Sequence, residues 1–249
     1  MDSARAGDLE VNAGERLIVP LDVATIDEAR AIVDRLQGVV SFFKLGPWLL
    51  VARGFERLLD DLMAAGNRIF LDTKVCDIPE TMRAGAAAAA ARGISFLTIH
   101  GNADVTDEAM KATVAGKGDS ALKILVVTTL TSIGGADGGW GGGGPAVTDL
   151  VLNRAKRAFD CGCDGVIAAG REVKAIRGAT GSRPFLIVTP GIRPAGADVH
   201  DHKRIATPGE AIRAGASYLV VGRPIIRAAD PVAAARAVIA EMEAALEKK

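Results

Sequence analysis

The stretch FLDTKVCDIPETM, Phe70 to Met82, sets Asp72, Lys74 and Asp77 within six residues, where an apolar strand-like run turns into a helix. Charges at such a junction must be solvated or paired, because an isolated buried ion is costly. Asp22 closes the run RLIVPLD and Lys44 closes VSFFKLG in the same way. A lone lysine at a strand end is ordinarily a solvated charge. Four charged residues ending three consecutive strands weaken that reading. Residues i and i+2 of a strand project to the same side, so Asp72 and Lys74 point together. If they point inward, Lys44 from the neighbouring strand completes a Lys–Asp–Lys group. Opposite charges 4 Å apart attract by roughly 4 kcal/mol at an effective dielectric near 20, so an alternating array stays ionised while partly buried. It also repels a further negative charge placed beside an aspartate, and that repulsion vanishes if a substrate loses its carboxylate.

Asp77 has two readings. Asp77-Ile78-Pro79-Glu80 fits a capping box, with an acid at N-cap, Glu at N3 and Pro in the first turn. It fits an active-site acid as well, and spacing alone leaves both open. A second cluster looks ready for an anion: Thr189-Pro190-Gly191 with Ile192-Arg193-Pro194, and Gly222-Arg223-Pro224. Glycine backbone N–H groups and the fork of an arginine suit a phosphate.

The elements that must hold these groups are legible as an alternation. Strand-like runs occupy 16–22, 40–46, 68–74, 94–100, 122–130, 165–169, 185–191 and 218–224. Helix patterns fall at about 25–37, 48–65, 79–92, 105–116, 146–160, 171–178, 208–214 and 231–247. Gly38, Gly66, Gly93, Gly162 and Gly215 stand near helix C-termini. Eight near-continuous apolar strands alternating with helices predict an α/β fold, a single-domain (β/α)8 TIM barrel over residues 16–249, with residues 1–15 as a flexible tail. A doubly wound open sheet would leave two edge strands, and none of the eight runs has the weakness of an edge. In a barrel the C-terminal strand ends build the site, and the loops after strands seven and eight hold phosphate. Both clusters therefore share one mouth. Residues 134–145, GGADGGWGGGGP, hold eight glycines in twelve positions after the fifth strand. They read either as a flexible surface loop or as a mobile lid over the site.

Composition narrows the function classes. Thirty basic and thirty acidic residues cancel, leaving no footprint for nucleic acid or an anionic membrane. No apolar run reaches the 18 or so residues of a membrane span, and residues 1–15 lack a signal-peptide core. Three cysteines, Cys76, Cys161 and Cys163, argue against a disulfide framework, and no second Cys/His pair accompanies Cys161 and Cys163 to suggest a metal. The expectation is a cytoplasmic protein. His100 reads as a neutral packing or hydrogen-bonding residue and His200 as loop surface.

Taken in order, LDV, FFKLG, FLDTKVCDIPET, LTS, VTPGIRP and VGRPI resemble the orotidine 5′-phosphate decarboxylase family, from about Leu17 to the last helix. The signature D-x-K-x-x-D-I-P-x-T is more specific than the D-x-K-x-x-D of the wider superfamily. The resemblance implies cofactor-free decarboxylation of orotidine 5′-monophosphate to UMP in pyrimidine synthesis, by a homodimer with shared active sites. It implies an array of Lys44, Asp72, Lys74 and Asp77, with Lys74 as proton donor to C6. Asp77 and Thr81 would reach the partner subunit's site. Asp22 and Lys44 would hold the ribose, Thr131 and Ser132 the base, and Pro190, Arg193, Gly222 and Arg223 the phosphate end. Two departures stand out. The family's D-Q-[KR]-R segment reads Asp201-His202-Lys203-Arg204 here, so His202 either grips the phosphate in a pH-dependent way or points to solvent. The glycine-rich insert replaces a more ordered segment. Competing readings are a metal-dependent sugar-phosphate decarboxylase or aldolase of the same superfamily, and a nucleotide sensor without turnover.

Overall fold

The computed structural model describes residues 11–129, 147–181, 184–194 and 206–247. Thr131, Ser132, His200, His202 and the glycine-rich stretch 134–145 lie outside the described residues.

Eight parallel strands close a barrel in sequence order: β1 (Leu17–Pro20), β2 (Phe42–Leu45), β3 (Arg68–Val75), β4 (Phe96–His100), β5 (Lys123–Val127), β6 (Gly165–Ile167), β7 (Leu186–Thr189) and β8 (Tyr218–Val220). β8 returns to β1 through Leu17↔Leu219 and Ile18↔Val220, which leaves no edge strand. The helices are α1 (Ala13–Arg16), α2 (Ile26–Leu36), α3 (Pro47–Leu50), α4 (Phe55–Ala64), α5 (Pro79–Ala91), α6 (Asp107–Lys117), α7 (Val147–Asp160), α8 (Val173–Thr180), α9 (Pro208–Ala214), α10 (Arg223–Ile226) and α11 (Pro231–Leu246), with a 3₁₀ turn at Gly170–Glu172 before α8. No helix among the described residues is long and apolar enough to cross a membrane.

Strand alternation divides the apolar residues into two cores. Outward residues such as Leu17, Val19, Phe43, Leu45 and Ile69 pack against the helices. Inward residues, including Ile18, Phe42, Phe70, Phe96, Leu125, Val188 and Tyr218, fill the barrel. Phe42 meets Phe96 edge to face at 4.9 Å between ring centres, and Phe96 meets Tyr218 at 5.0 Å. This aromatic plug is the floor on which the site rests. One step further along the same inward rows the strands present Lys44 and Asp72, two residues after Phe42 and Phe70.

Three local expectations change. The pattern over 48–65 becomes two helices, because Gly54 adopts φ 94° and breaks the run before Phe55. Within residues 11–15 the chain is folded: Asn12 and Glu15 form a reciprocal capping box for α1, whose Ala13 and Arg16 are buried. α10 was hidden because Gly222-Arg223-Pro224 reads as a turn. Its Pro224 sits in the first turn, where the missing N–H costs nothing.

Candidate active site

The C-terminal strand ends surround a cavity of about 460 Å³, within the range of small-ligand sites. Asp22, Lys44, Asp72 and Lys74 line it from the ends of β1, β2 and β3, and Pro190, Arg193, Gly222 and Arg223 line it from the ends of β7 and β8. The four charges alternate and touch in series: Asp22 Oδ1 to Lys44 Nζ is 3.2 Å, Lys44 Nζ to Asp72 Oδ2 is 3.2 Å, and Asp72 Oδ1 to Lys74 Nζ is 2.9 Å. The Lys44 and Asp72 side chains are only 11% and 14% exposed, whereas that of Lys74 is 31% exposed and reaches the open cavity.

The electrostatics follow from this geometry. Burial alone would push the Asp72 carboxyl up, but the ammonium groups of Lys44 and Lys74 outweigh it and hold that carboxyl below the usual range. Burial alone would lower Lys44, and Asp72 with Asp22 reverse this, so its ammonium is held above the usual lysine value. Both partners therefore stay ionised at neutral pH. His100 is pushed down, first by burial and then by the positive charges of Arg154 and Lys74. Its Nδ1 accepts a hydrogen bond from the Asn102 N–H at 3.0 Å, which places the imidazole proton on Nε2.

Asp77 is not a helix cap. Pro79 at the first position of α5 forces the preceding residue to be extended, so the N-cap is Ile78 (φ −67°, ψ 156°), which makes no side-chain cap bond. Asp77 Oδ1 instead accepts the Ile78 N–H at 2.7 Å, and Glu80 pairs with Arg83. Asp77 and Thr81 are both exposed and do not line their own chain's cavity. The capping-box reading of Asp77 fails for this reason, and among the described residues its carboxylate keeps only the contact with the Ile78 N–H.

After β7, Arg193 is 4% exposed, and its Nη1 donates to the Ile192 carbonyl at 2.7 Å. Gly191 before it holds φ 76°, a conformation a side chain would resist. Burial raises the thiol of Cys161 and pushes Cys163 up to about 12, so both are neutral core residues.

The geometry adds residues that the spacing did not reveal. Thr129, Trp48 and Arg227 line the same cavity. Gly46 sits against the array, since a Cβ there would lie 3.2 Å from Asp22 Oδ1 and 3.9 Å from Lys44 Nζ. Thr98, two residues before His100 on β4, donates to Asp72 Oδ1 at 3.0 Å. An inward-row count on β4 from Phe96 would have found Thr98. The others depend on loop paths that no local pattern encodes.

Comparison with known proteins places this geometry in context. The family model described as "Orotidine 5'-phosphate decarboxylase / HUMPS family" matches residues 15–238. The orotidine 5′-phosphate decarboxylase of Nitrobacter winogradskyi is 49% identical over 94% of this chain and 95% of its own length. That of Caulobacter vibrioides is 46% identical over 93% and 99%. The crystal structure of orotidine 5′-phosphate decarboxylase from Lactobacillus acidophilus superposes with a TM-score of 0.78 at 37% identity, covering 92% of this chain and 99% of that one. The closed barrel, the charged strand ends and a match over most of the sequence agree: this chain belongs to the orotidine 5′-phosphate decarboxylase / HUMPS family.

Proposed function

We propose that the chain decarboxylates orotidine 5′-monophosphate to UMP, a step of pyrimidine synthesis, in the cytoplasm and without a cofactor. The observation that carries this reading is the series Asp22–Lys44–Asp72–Lys74, facing a cavity that Arg193 and Arg223 also line. In the reaction the bond from C6 to the carboxylate carbon breaks, CO₂ departs, and the electron pair stays on C6. Lys74, with its ammonium at the cavity, stabilises that developing charge and delivers its proton to C6. Water then reprotonates the amine. Preorganised charge of this kind acts where charge develops and needs no reorganisation during the step.

Asp72 is pinned by two ammonium groups and would face the substrate carboxylate. A further negative charge about 4 Å from it costs roughly 4 kcal/mol at an effective dielectric near 20, and the cost disappears as CO₂ forms. Lys44 and Asp22 would hold the ribose, and Pro190, Arg193, Gly222 and Arg223 the phosphate. Thr131 and Ser132 would hold the base, and His202 would assist the phosphate grip. Binding energy from the phosphate, remote from C6, then lowers the barrier rather than only KM. A dication at Asp72 would meet the ammonium groups of both Lys44 and Lys74, which disfavours the metal-dependent alternative.

We further propose a homodimer in which Asp77 and Thr81 complete the site of the partner subunit. Supporting this, both are exposed, and the large apolar residues Trp48, Val51 and Ile78, which follow the adjacent strands β2 and β3, are 63%, 87% and 65% exposed. The deciding experiment follows loss of orotate absorbance when purified protein meets orotidine 5′-monophosphate. Turnover should survive EDTA and collapse in Lys74→Ala. No turnover by the unmodified protein would overturn the proposal.

A further inference from the structure

β3 and β4 fall out of register at one point. Leu71 pairs with Leu97 and Val75 with Ile99, so Asp72, Thr73 and Lys74 all stand opposite the single residue Thr98. All three bond to it. Thr98 Oγ1 donates to Asp72 Oδ1 (3.0 Å), the Lys74 N–H donates to Thr98 Oγ1 (2.9 Å), and Thr73 Oγ1 donates to the Thr98 carbonyl (3.4 Å). Thr98 is fully buried.

The direction of these bonds is forced. A hydroxyl carries one proton and two lone pairs, a backbone N–H can only donate, and an ionised carboxylate can only accept. Thr98 must therefore take the Lys74 N–H on a lone pair and give its own proton to Asp72. The Asp72 carboxylate is then held by three donors: Oδ1 by Thr98 and the Lys74 ammonium, Oδ2 by the Lys44 ammonium. The same hydroxyl anchors the backbone of Lys74. Lys74 is the one non-glycine residue with positive φ (50°) among the described residues, a conformation that residues with a Cβ resist. Such strained backbone persists where surrounding bonds over-determine it, and it recurs at functional sites.

We propose that Thr98 is a positioning residue for the decarboxylation. Through one hydroxyl it orients the Asp72 carboxylate and holds the turn that aims the Lys74 ammonium at the reacting carbon. The inference rests on the function proposed above. Thr98 lies outside the cavity lining and would touch no substrate. It acts through the two residues that would, and a valine of nearly the same shape would abolish both bonds while filling the same space.

The test compares Thr98→Val, Thr98→Ser and the unmodified protein. Thr98→Val should lower kcat by roughly 10- to 100-fold, the scale set by an ångström of misplacement at a reacting group. KM and the dissociation constant of UMP should stay within about threefold, since the phosphate side of the cavity is untouched. Thr98→Ser, which keeps the hydroxyl, should recover most of kcat. A crystal structure of Thr98→Val should show Lys74 leaving its φ of 50° or its Nζ withdrawing from Asp72. If Thr98→Val keeps kcat within twofold, or if Thr98→Ser is as impaired as Thr98→Val, the proposal is overturned. Should Thr98→Val not fold, Thr98→Ala supplies the same loss of hydroxyl and is judged by the same kcat-against-KM split. If the unmodified protein has no turnover, the parent function falls instead. The Thr98→Val structure then decides the positioning by itself: an unmoved Lys74 and Asp72 would overturn it.

Discussion

Lys44 Nζ stands 3.2 Å from Asp22 Oδ1 and 3.2 Å from Asp72 Oδ2, so a single ammonium on β2 joins the ends of β1 and β3. This bridge is what turns separate strand-end charges into one array. Asp72 needs it most, because burial opposes the ionised form of that acid and the Lys44 ammonium offsets the cost.

Removing the bridge should leave Asp72 buried with half its compensation. Breaking a buried pair by deleting one partner typically costs 3–5 kcal/mol, and slight exposure of both side chains reduces this, so Lys44→Met should destabilise by about 3 kcal/mol in urea unfolding. Adding Asp72→Asn to Lys44→Met should return much of that stability while leaving turnover abolished. Strictly additive losses in the double variant would show that the two groups do not act as a unit.

The array also sets a pH window for stability. Asp72 has a lowered folded-state value, so its contribution is fully present above its unfolded pKa of about 3.9 and is lost as pH falls through the folded value. Lys44 is raised, so its contribution is fully present below its unfolded pKa of about 10.4 and is lost as pH rises through the folded value. Thermal melts across pH should therefore show a plateau between these limits. In Asp72→Asn the acid-side fall should shrink, and an unchanged acid limb would refute the assignment.

Gly46 has an ordinary φ of −93°, so alanine there is not strained by its backbone. The added methyl would instead press on Asp22 Oδ1 at 3.2 Å and approach Lys44 Nζ. Gly46→Ala should reduce kcat/KM by about tenfold, in line with small displacements of positioned groups. Its melting temperature should move by only a few degrees. A variant with unaltered kinetics would show that the array tolerates the shift.

Subunit mixing examines the shared site. Lys74→Ala and Asp77→Ala chains are each expected to be inactive alone. Random exchange at equal amounts makes half of the dimers mixed, each with one intact site, so about a quarter of full activity should return. If subunit exchange is verified by mass and no activity appears, Asp77 does not serve its neighbour.

The strength of the local signals explains what could be read without coordinates. Apolar runs with period-two inward and outward faces define eight strands, and glycines such as Gly38, Gly66, Gly93, Gly162 and Gly215 do take the positive φ that helix ends require. Lys44 and Asp72 were legible as neighbours because a parallel barrel lays consecutive strands side by side, with Lys44 paired to Phe70 in register. The convergence of Asp72 and Lys74 was expected from simple alternation, but the actual cause is a bulge. Three residues of β3 share Thr98 as their partner, and Lys74 turns to φ 50°. No spacing in FLDTKVCDIPETM encodes that bulge, because it is settled by pairing with a strand more than twenty residues away. Asp77 shows the converse. Its sequence context satisfied a helix-cap pattern, yet Pro79 shifted the cap to Ile78 and left the carboxylate exposed. The sequence by itself determined the eight strands, their alternation with helices and which charges stand at the strand ends, since periodicity is local. Only the tertiary structure decided register, bulge and hydrogen-bond direction, since those are set by atoms brought together from distant parts of the chain.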